Sequence, residues 1–219
     1  MGGAGGSGKA GNAGAGGHGG GDGGVPRPIG IATDVTLAPT TVQSANGNGT
    51  GFSQTCAPNE VVIGMTGTVN DPSVNMNYLS TFQAMCGTVI ISGTSTFVAH
   101  TVAAETLPQP GTAAPGTMTQ TRLCGADQVV IGFSGQSGRR IDQIALICAP
   151  LVVGGTFPTF TLSVGTPSPP LNYLGGPGGS GYGPFNCPVK QIAVGHAGRT
   201  SDFVDAFGLL CATPSLVVQ

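Results

Sequence analysis

Two aspartates stand at the same place in two similar stretches of the chain, and they are its best candidates for chemistry. Residues 132–150 read GFSGQSGRRIDQIALICAP, and residues 195–213 read GHAGRTSDFVDAFGLLCAT. In each stretch a glycine pair precedes a polar loop, and an aspartate, Asp142 or Asp205, begins an apolar strand that ends in a cysteine. A carboxylate at the start of a strand can accept hydrogen bonds from backbone N–H groups of the preceding loop and hold the turn.

Catalysis has little support in these residue types. Glycoside cleavage needs two carboxylates about 5–10 Å apart across one bond, whereas Asp202 and Asp205 share one loop with no predicted cleft. No nucleophile elbow or Ser–His–Asp arrangement is visible, and His196 is interpreted as a loop or strand residue. Zinc is disfavoured because no two cysteines stand two to four residues apart, and His100 and His196 have no partner at ligand spacing. We therefore predict a protein that is not an enzyme, without metal or cofactor.

The cysteines predict three disulfides. All six lie at the ends of repeated units, and none is left over. Of the fifteen connectivities that six cysteines allow, the repeat selects the one that pairs the opening and the closing cysteine of each unit. The predicted disulfides are Cys56–Cys86, Cys124–Cys148 and Cys187–Cys211. A hairpin that sets Cys124 opposite Cys148 would also set Val130 opposite Asp142. The alternative is three pairs of buried free thiols.

Three units of about sixty-five residues repeat along the chain. They start near residues 56, 124 and 187 with CAPNEVVIGMTG, CGADQVVIGFSG and CPVKQIAVGHAG, and glycines follow each cysteine at eight and eleven residues. The first unit has Ser80 where the other two have aspartate. Self-similarity at a fixed period indicates a repeat architecture in which the units bury their apolar faces together. Residues 29–219 are therefore predicted to form one domain.

Composition and pattern predict an all-β domain. Thr, Val, Ile, Ser and Gly dominate after residue 28, which favours strands and turns. Strands are predicted at 29–37, 60–67, 79–92, 95–104, 128–134, 141–152, 156–165, 191–196, 203–212 and 214–219, with the last strand near the first. Pro- and Gly-rich segments at 107–117 and 165–186 are predicted linkers without central strands. Three hairpins predict a β-prism, with three Greek-key-like sheets about a pseudo-threefold axis; the alternative is a β-trefoil.

Residues 1–28 are predicted to be a disordered, Gly-rich tether, because they offer almost no side chain to bury. The net charge is −2 and only 7% of residues are charged, which argues against nucleic acid as a partner. No transmembrane span, signal sequence or anchor is visible in the chain. Since disulfides persist in oxidising compartments, we expect a secreted or cell-surface protein.

The repeated hairpins resemble those of the jacalin-like β-prism lectins. SGRRIDQIAL and TSDFVDAFGL are similar to the family's Gly-rich loop and the Asp-containing strand that follows it. The cysteines that bracket each hairpin are more similar to the vitelline membrane outer layer protein, another β-prism with internal threefold symmetry. The resemblance covers three segments of about twenty-five to thirty residues and does not extend to the linkers.

The resemblance implies a sugar site at the hairpin loops. In jacalin-like lectins a Gly-x-x-x-Asp loop holds the sugar. Residues 138–142 match this pattern in full, and residues 201–205 match it with serine in place of glycine. The residues that the resemblance predicts for carbohydrate binding are Gly138, Arg139, Arg140, Asp142, Ser201, Asp202, Phe203 and Asp205. Residues 76–80 have neither Gly nor Asp and are not expected to bind sugar in this way. The turn at 46–51 is a candidate for the second Gly-rich loop of such sites.

Two functions follow from these observations. The first is a non-catalytic, extracytoplasmic, lectin-like module that binds glycans or a cell-surface polysaccharide at repeats two and three. The second is a disulfide-stapled structural or adhesive envelope protein, in which Asp142 and Asp205 only hold their turns. Arg139, Arg140 and Arg199, with Lys190, would suit acidic glycans, or they are simply solvated charges. Exposed edge strands would also allow the chain to form a homo-oligomer.

Overall fold

The chain forms an all-β structure in a computed structural model, which describes residues 27–31, 36–37, 42–43, 49–70, 78–92, 98–111, 118–156, 159–171 and 173–216. Its strands there are β1 (Arg27–Ile31), β2 (Thr36–Leu37), β3 (Val42–Gln43), β4 (Thr50–Thr55), β5 (Glu60–Val69), β6 (Leu79–Ser92), β7 (Val98–Thr106), β8 (Met118–Leu123), β9 (Gln128–Ser137), β10 (Ile141–Thr156), β11 (Thr159–Val164), β12 (Leu174–Gly175), β13 (Ser180–Asn186), β14 (Ile192–Thr200), β15 (Val204–Ala212) and β16 (Pro214–Leu216). Almost all of the predicted tether lies outside the described residues, and β1 includes its last two positions.

The strands form three antiparallel sheets, one for each repeat. The hairpins β5–β6, β9–β10 and β14–β15 are the centres of sheets with six, five and five strands. The predicted β-prism is therefore confirmed, and the β-trefoil alternative is wrong. Pro214–Leu216 also pairs with Ile29–Ile31, as expected for a last strand that lies near the first. The described part of the chain contains no helix with the length and apolarity that a membrane crossing requires.

Each hairpin gains a third strand from a segment that lies directly before the opening cysteine of a unit. β8 pairs with β5, β13 with β9, and β4 with β14, so the third strand of every sheet comes from chain outside its hairpin. The first glycine of each repeat makes room for this strand: a Cβ atom on Gly64 would lie 2.6 Å from the carbonyl oxygen of Arg122, and one on Gly132 would lie 2.8 Å from that of Phe185. The sequence pattern did not predict these strands.

The prediction that residues 165–186 are only a linker is wrong, because β12 and β13 lie within it. Strand β13 is at the edge of its sheet, where proline is tolerated because one side of the strand needs no ladder hydrogen bonds. Pro184 follows a cis peptide bond and falls at the register shift between Tyr182 and Phe185. The proline-rich composition hid an edge strand.

The three predicted disulfides are present, with Cα–Cα distances of 5.7 Å in each. The predicted hairpin register is wrong, however, because Cys148 lies opposite Val130 rather than Cys124. The backbone N–H of Cys124 instead donates to Ile63, which places Cys124 at the edge of the first sheet, while Cys148 is in the second. The other two disulfides also join neighbouring sheets, so together they close a ring of three sheets.

Two clusters of buried side chains form the interior. The first lies among the three hairpins, where Phe82 and Phe133 meet Phe207 edge to face with ring centroids 5.0 and 4.7 Å apart. Each fully buried phenylalanine contributes about 2–3 kcal/mol. The second cluster includes Val89 and Leu151, which lie where β6 and β10 run past the closing cysteines and pair with β7 and β11.

Candidate functional site

A β-bulge presents the key residue of each repeat. In the hairpin ladders, Ile141 and Gln143 pair with consecutive residues of β9, so Asp142 has no partner on the opposite strand. Ser80 and Asp205 are skipped in the same way in the other two hairpins. A bulge bends its strand and re-aims the extra side chain. The threefold repeat of this irregularity explains why the motif spacing is constant.

The bulge leaves no space for a side chain at the second glycine of each repeat. A Cβ atom on Gly67, Gly135 or Gly198 would collide with the carbonyl oxygen of the residue that follows the bulged position. These oxygens belong to Thr81, Gln143 and Ala206. The glycine pair is thus explained by two close approaches of backbone, one to the outer strand and one to the bulge.

Asp142 lies in a cradle of glycines. A Cβ atom on Gly178 would lie 2.8 Å from its Oδ1 atom, and one on Gly138 would lie 3.5 Å from Oδ2. The backbone N–H of Gly176 donates to the carbonyl oxygen of Asp142 at 3.2 Å. The walls around this carboxylate therefore consist largely of backbone.

The Asp142 carboxylate is incompletely satisfied. Its Oδ2 atom is buried and has no hydrogen-bond partner among the described residues. Burial raises the pKa of Asp142 above the ordinary value of 3.8, while a hydrogen bond with the backbone of Gly138 and the charge of Arg140 lower it in part. A buried carboxylate oxygen without a partner is costly, and it calls for a donor from outside the chain.

The second Gly-rich loop at this site was not predicted. It is the segment 175–179, GGPGG, in which Gly175 and Gly179 have φ values of +102° and +62°, a backbone conformation that other residues rarely adopt. Its contact with Asp142 joins chain positions more than thirty residues apart.

The third repeat has a matching but closed arrangement. A Cβ atom on Gly49, in the turn predicted to complete this pocket, would lie 2.6 Å from Asp205 Oδ2; residues 46–48 of that turn lie outside the described part. The hydroxyl of Ser201 donates to the same Oδ2 atom at 2.8 Å, and Asp205 is only 4% exposed. Ser201 and Asp202 are exposed. The Oδ2 atom of Asp205 thus has a side-chain donor from its own loop, whereas the Oδ2 atom of Asp142 has no partner among the described residues.

The first repeat carries a neutral residue at the bulge. Ser80 is 1% exposed, and its hydroxyl has no hydrogen-bond partner among the described residues. Residues 76 and 77 of the corresponding loop lie outside the described part. Without a carboxylate, this position lacks the acceptor that distinguishes the other two repeats.

The three loops meet at one end of the prism. Tyr78, Arg140 and Phe203 each stand two residues before the bulged position of their repeat. The rings of Tyr78 and Phe203 are perpendicular, with centroids 4.5 Å apart. The guanidinium carbon of Arg140 lies 3.3 Å from the centroid of Phe203 and 4.6 Å from that of Tyr78. Phe203 therefore packs against the other repeats.

The remaining basic residues of the motif are dispersed. Arg139 is exposed next to Arg140, and Arg199 is exposed on β14. Lys190 lies in the turn before β14, and that nine-residue strand separates it from the Ser201 loop by about 30 Å. His196 is fully buried between the rings of Phe52 and Phe82, so it is a core residue.

Two open hollows flank the hairpin ends. One of about 400 Å³ lies beside the third repeat, and one of about 240 Å³ lies between the first repeat and the loop residues 175–177. The first is lined by Thr50, Gly51, Phe52, Gln54, Pro110, Gly111, Thr200 and Ser201. Neither hollow is lined by a charged residue.

Comparison with known proteins finds similarity among solved structures. No protein-family model and no curated protein matches the chain. Calystegia sepium agglutinin is 14% identical over 82% of this chain and 97% of its own, with a TM-score of 0.43. Artocarpin complexed with Me-alpha-mannose is 14% identical over 79% and 97%, with a TM-score of 0.42. Single-chain recombinant jacalin is 9% identical over 83% and 96%, with a TM-score of 0.38. These neighbours are jacalin-related lectins, the group that the repeated hairpins of the sequence resemble.

Proposed function

We propose that the protein is an extracytoplasmic, non-catalytic carbohydrate-binding module whose sugar site is the glycine cradle of the second repeat. The observation that carries the proposal is the buried Oδ2 atom of Asp142, which has no partner among the described residues. Sugar hydroxyls are donors of the right size for an acceptor between two backbone walls. The carboxylate would accept from them, and backbone groups of 138–140 and 176–179 would complete the contacts.

The third repeat is a weaker candidate in this proposal. Ser201 supplies a donor to Asp205, so a sugar would have to displace an internal hydrogen bond. Such an exchange gains little net free energy, because one hydrogen bond replaces another. Sugar binding is therefore assigned first to Asp142, and to Asp205 only if the hydrogen bond from Ser201 is broken.

The experiment is a glycan array with four oxidised proteins: the parent, Asp142→Ala, Asp205→Ala and the double variant. Each must show the parent's circular dichroism and a cooperative unfolding transition. The proposal expects binding by the parent and by Asp205→Ala, and loss of binding in both proteins that lack Asp142. No binding by the parent at high glycan density would refute it, as would full binding by Asp142→Ala.

The extracytoplasmic location is inferred from the disulfides. All six cysteines of the chain are paired, and structural disulfides persist in oxidising compartments. Mass spectrometry of the native protein, alkylated before denaturation, should show no alkylated cysteine. Recovery of six free thiols from cells would contradict this part of the proposal.

A second candidate function is a structural or adhesive surface protein. It is favoured by the closed ring of disulfides between the sheets and by the internal donor to Asp205. A stapled prism of this kind would resist proteases whether or not it binds sugar. The array separates the two functions, since a structural block has no glycan ligand that depends on Asp142.

A further inference from the structure

The guanidinium group of Arg140 is held in place from one side. Phe203 of the third repeat lies against its face at 3.3 Å, and Tyr78 of the first repeat lies 4.6 Å away. The perpendicular arrangement of those two rings forms a corner around it. Stacking on an aromatic face fixes the plane of a guanidinium while its N–H groups point outward along that plane.

The N–H groups of Arg140 are not used by the protein. Among the described residues, its guanidinium has no hydrogen-bond acceptor and no ion-pair partner within 4.0 Å. The side chain is half-buried, in contrast to that of Arg139, which is exposed. An oriented guanidinium with free N–H groups fits a planar carboxylate through two parallel hydrogen bonds.

We propose that Arg140 binds the carboxylate of an acidic sugar whose hydroxyls are bound at Asp142. This inference rests on the proposed sugar site and names its ligand class, a glycan that carries a uronic or a sialic acid. Asp142 and Arg140 are two residues apart on one loop, so one sugar residue or two linked ones can reach both groups. A neutral sugar would leave the N–H groups of Arg140 to water.

The proposal gives each repeat its own role at this end of the prism. The second repeat supplies the carboxylate and the guanidinium. The first and third repeats supply Tyr78 and Phe203, the rings that hold the guanidinium. The first repeat therefore takes part in recognition although it has no aspartate. A substitution at Tyr78 should therefore alter the preference for acidic glycans, although Ser80 at the bulge of that repeat is not part of the proposed site.

The test compares matched acidic and neutral glycans by titration calorimetry or on an array. The pairs are glucuronate- and glucose-terminated glycans, and sialylated and galactose-terminated glycans, with a sulfated galactose as a third anion. The parent should bind the acidic member of at least one carboxylate pair about tenfold more tightly, and added salt should reduce that preference. The pair that shows the preference identifies the acid.

Arg140→Met should lose the preference while it still binds the neutral glycan, and Lys190→Met, which removes a positive charge far from the loops, is the control that should keep it. Tyr78→Leu should weaken the preference, which provides a second variant if Arg140→Met does not fold. Equal binding of acidic and neutral glycans by the parent, or preference for the sulfated sugar, would overturn this inference and leave the proposed function intact. No glycan binding of any kind would overturn both.

Discussion

His196 should make the fold sensitive to acid. It occupies the position that Met65 and Phe133 occupy in the other repeats, and it is fully buried against Phe52 and Phe82. Neither ring nitrogen has a hydrogen-bond partner among the described residues. Burial lowers the pKa of His196 from 6.5 to about 4. The native state therefore keeps the imidazole neutral at pH values where the unfolded chain takes up a proton.

The sign and size of the effect follow from that pKa. Above pH 6.5 both states are neutral at this residue, and its stability contribution does not change with pH. Below that, the unfolded state binds the proton first, so stability falls as pH decreases. The loss is about 1.4 kcal/mol per pH unit and reaches about 3 kcal/mol near pH 4. A loss of this size is a large fraction of the free energy of unfolding of a typical domain.

The assay is urea unfolding of the oxidised protein at a series of pH values, for the parent and for His196→Phe. The substitution places the residue of the second repeat at the same position of the third. Other titrating groups are common to both proteins, so the difference between the two stability curves isolates His196. We expect the difference to grow by about 3 kcal/mol in favour of the variant between neutral pH and pH 4. Parallel curves would refute the reasoning.

Three further predictions concern the disulfide ring and the cradle. Replacing Cys124 and Cys148 with serine should cost about 3–4 kcal/mol in urea unfolding, since the disulfide spans a sequence separation of 24 residues; a loss below about 1 kcal/mol would mean that the ring adds little. Gly178→Ala should weaken glycan binding about tenfold, because its Cβ would lie 2.8 Å from the Asp142 carboxylate, whereas Gly181→Ala, with its nearest neighbour at 3.9 Å, should bind normally; equal affinities would contradict the cradle. Because the pKa of Asp142 is raised in the native state, its contribution to stability is present below pH 3.8 and is lost as pH rises through the native pKa. In the same unfolding assay, the free energy of unfolding of Asp142→Asn should therefore rise relative to that of the parent as pH rises through this window. A fall relative to the parent would contradict the sign.

Regular local spacing carried most of the prediction of the fold. The cysteine pairing and the hairpin strands follow from features that recur within one unit, such as Cys56 and Cys86 at its two ends. The hairpin register did not follow, because Cys124 belongs to the sheet of the preceding unit. Strands β4, β8 and β13 escaped prediction because they lie outside the hairpins, at the edges of their sheets, and most of their residues are exposed.

The candidate site was predicted in part. The position of Asp142 could be read from the motif, since a bulge and its glycine partner leave a fixed spacing in the sequence. The Gly175–Gly179 loop could not, because its approach depends on the path of the chain before an edge strand. The corner formed by Tyr78, Phe203 and Arg140 arises only where three loops meet on the axis, although their equivalent positions in the repeats were visible.

The measurement that tests the central claim most directly is a crystal structure of the oxidised protein with the best glycan from the array. The account predicts a sugar in the cradle between 138–142 and 176–179, with a hydroxyl within hydrogen-bond distance of Asp142 Oδ2. A sugar bound elsewhere, with that oxygen still unpartnered, would contradict it.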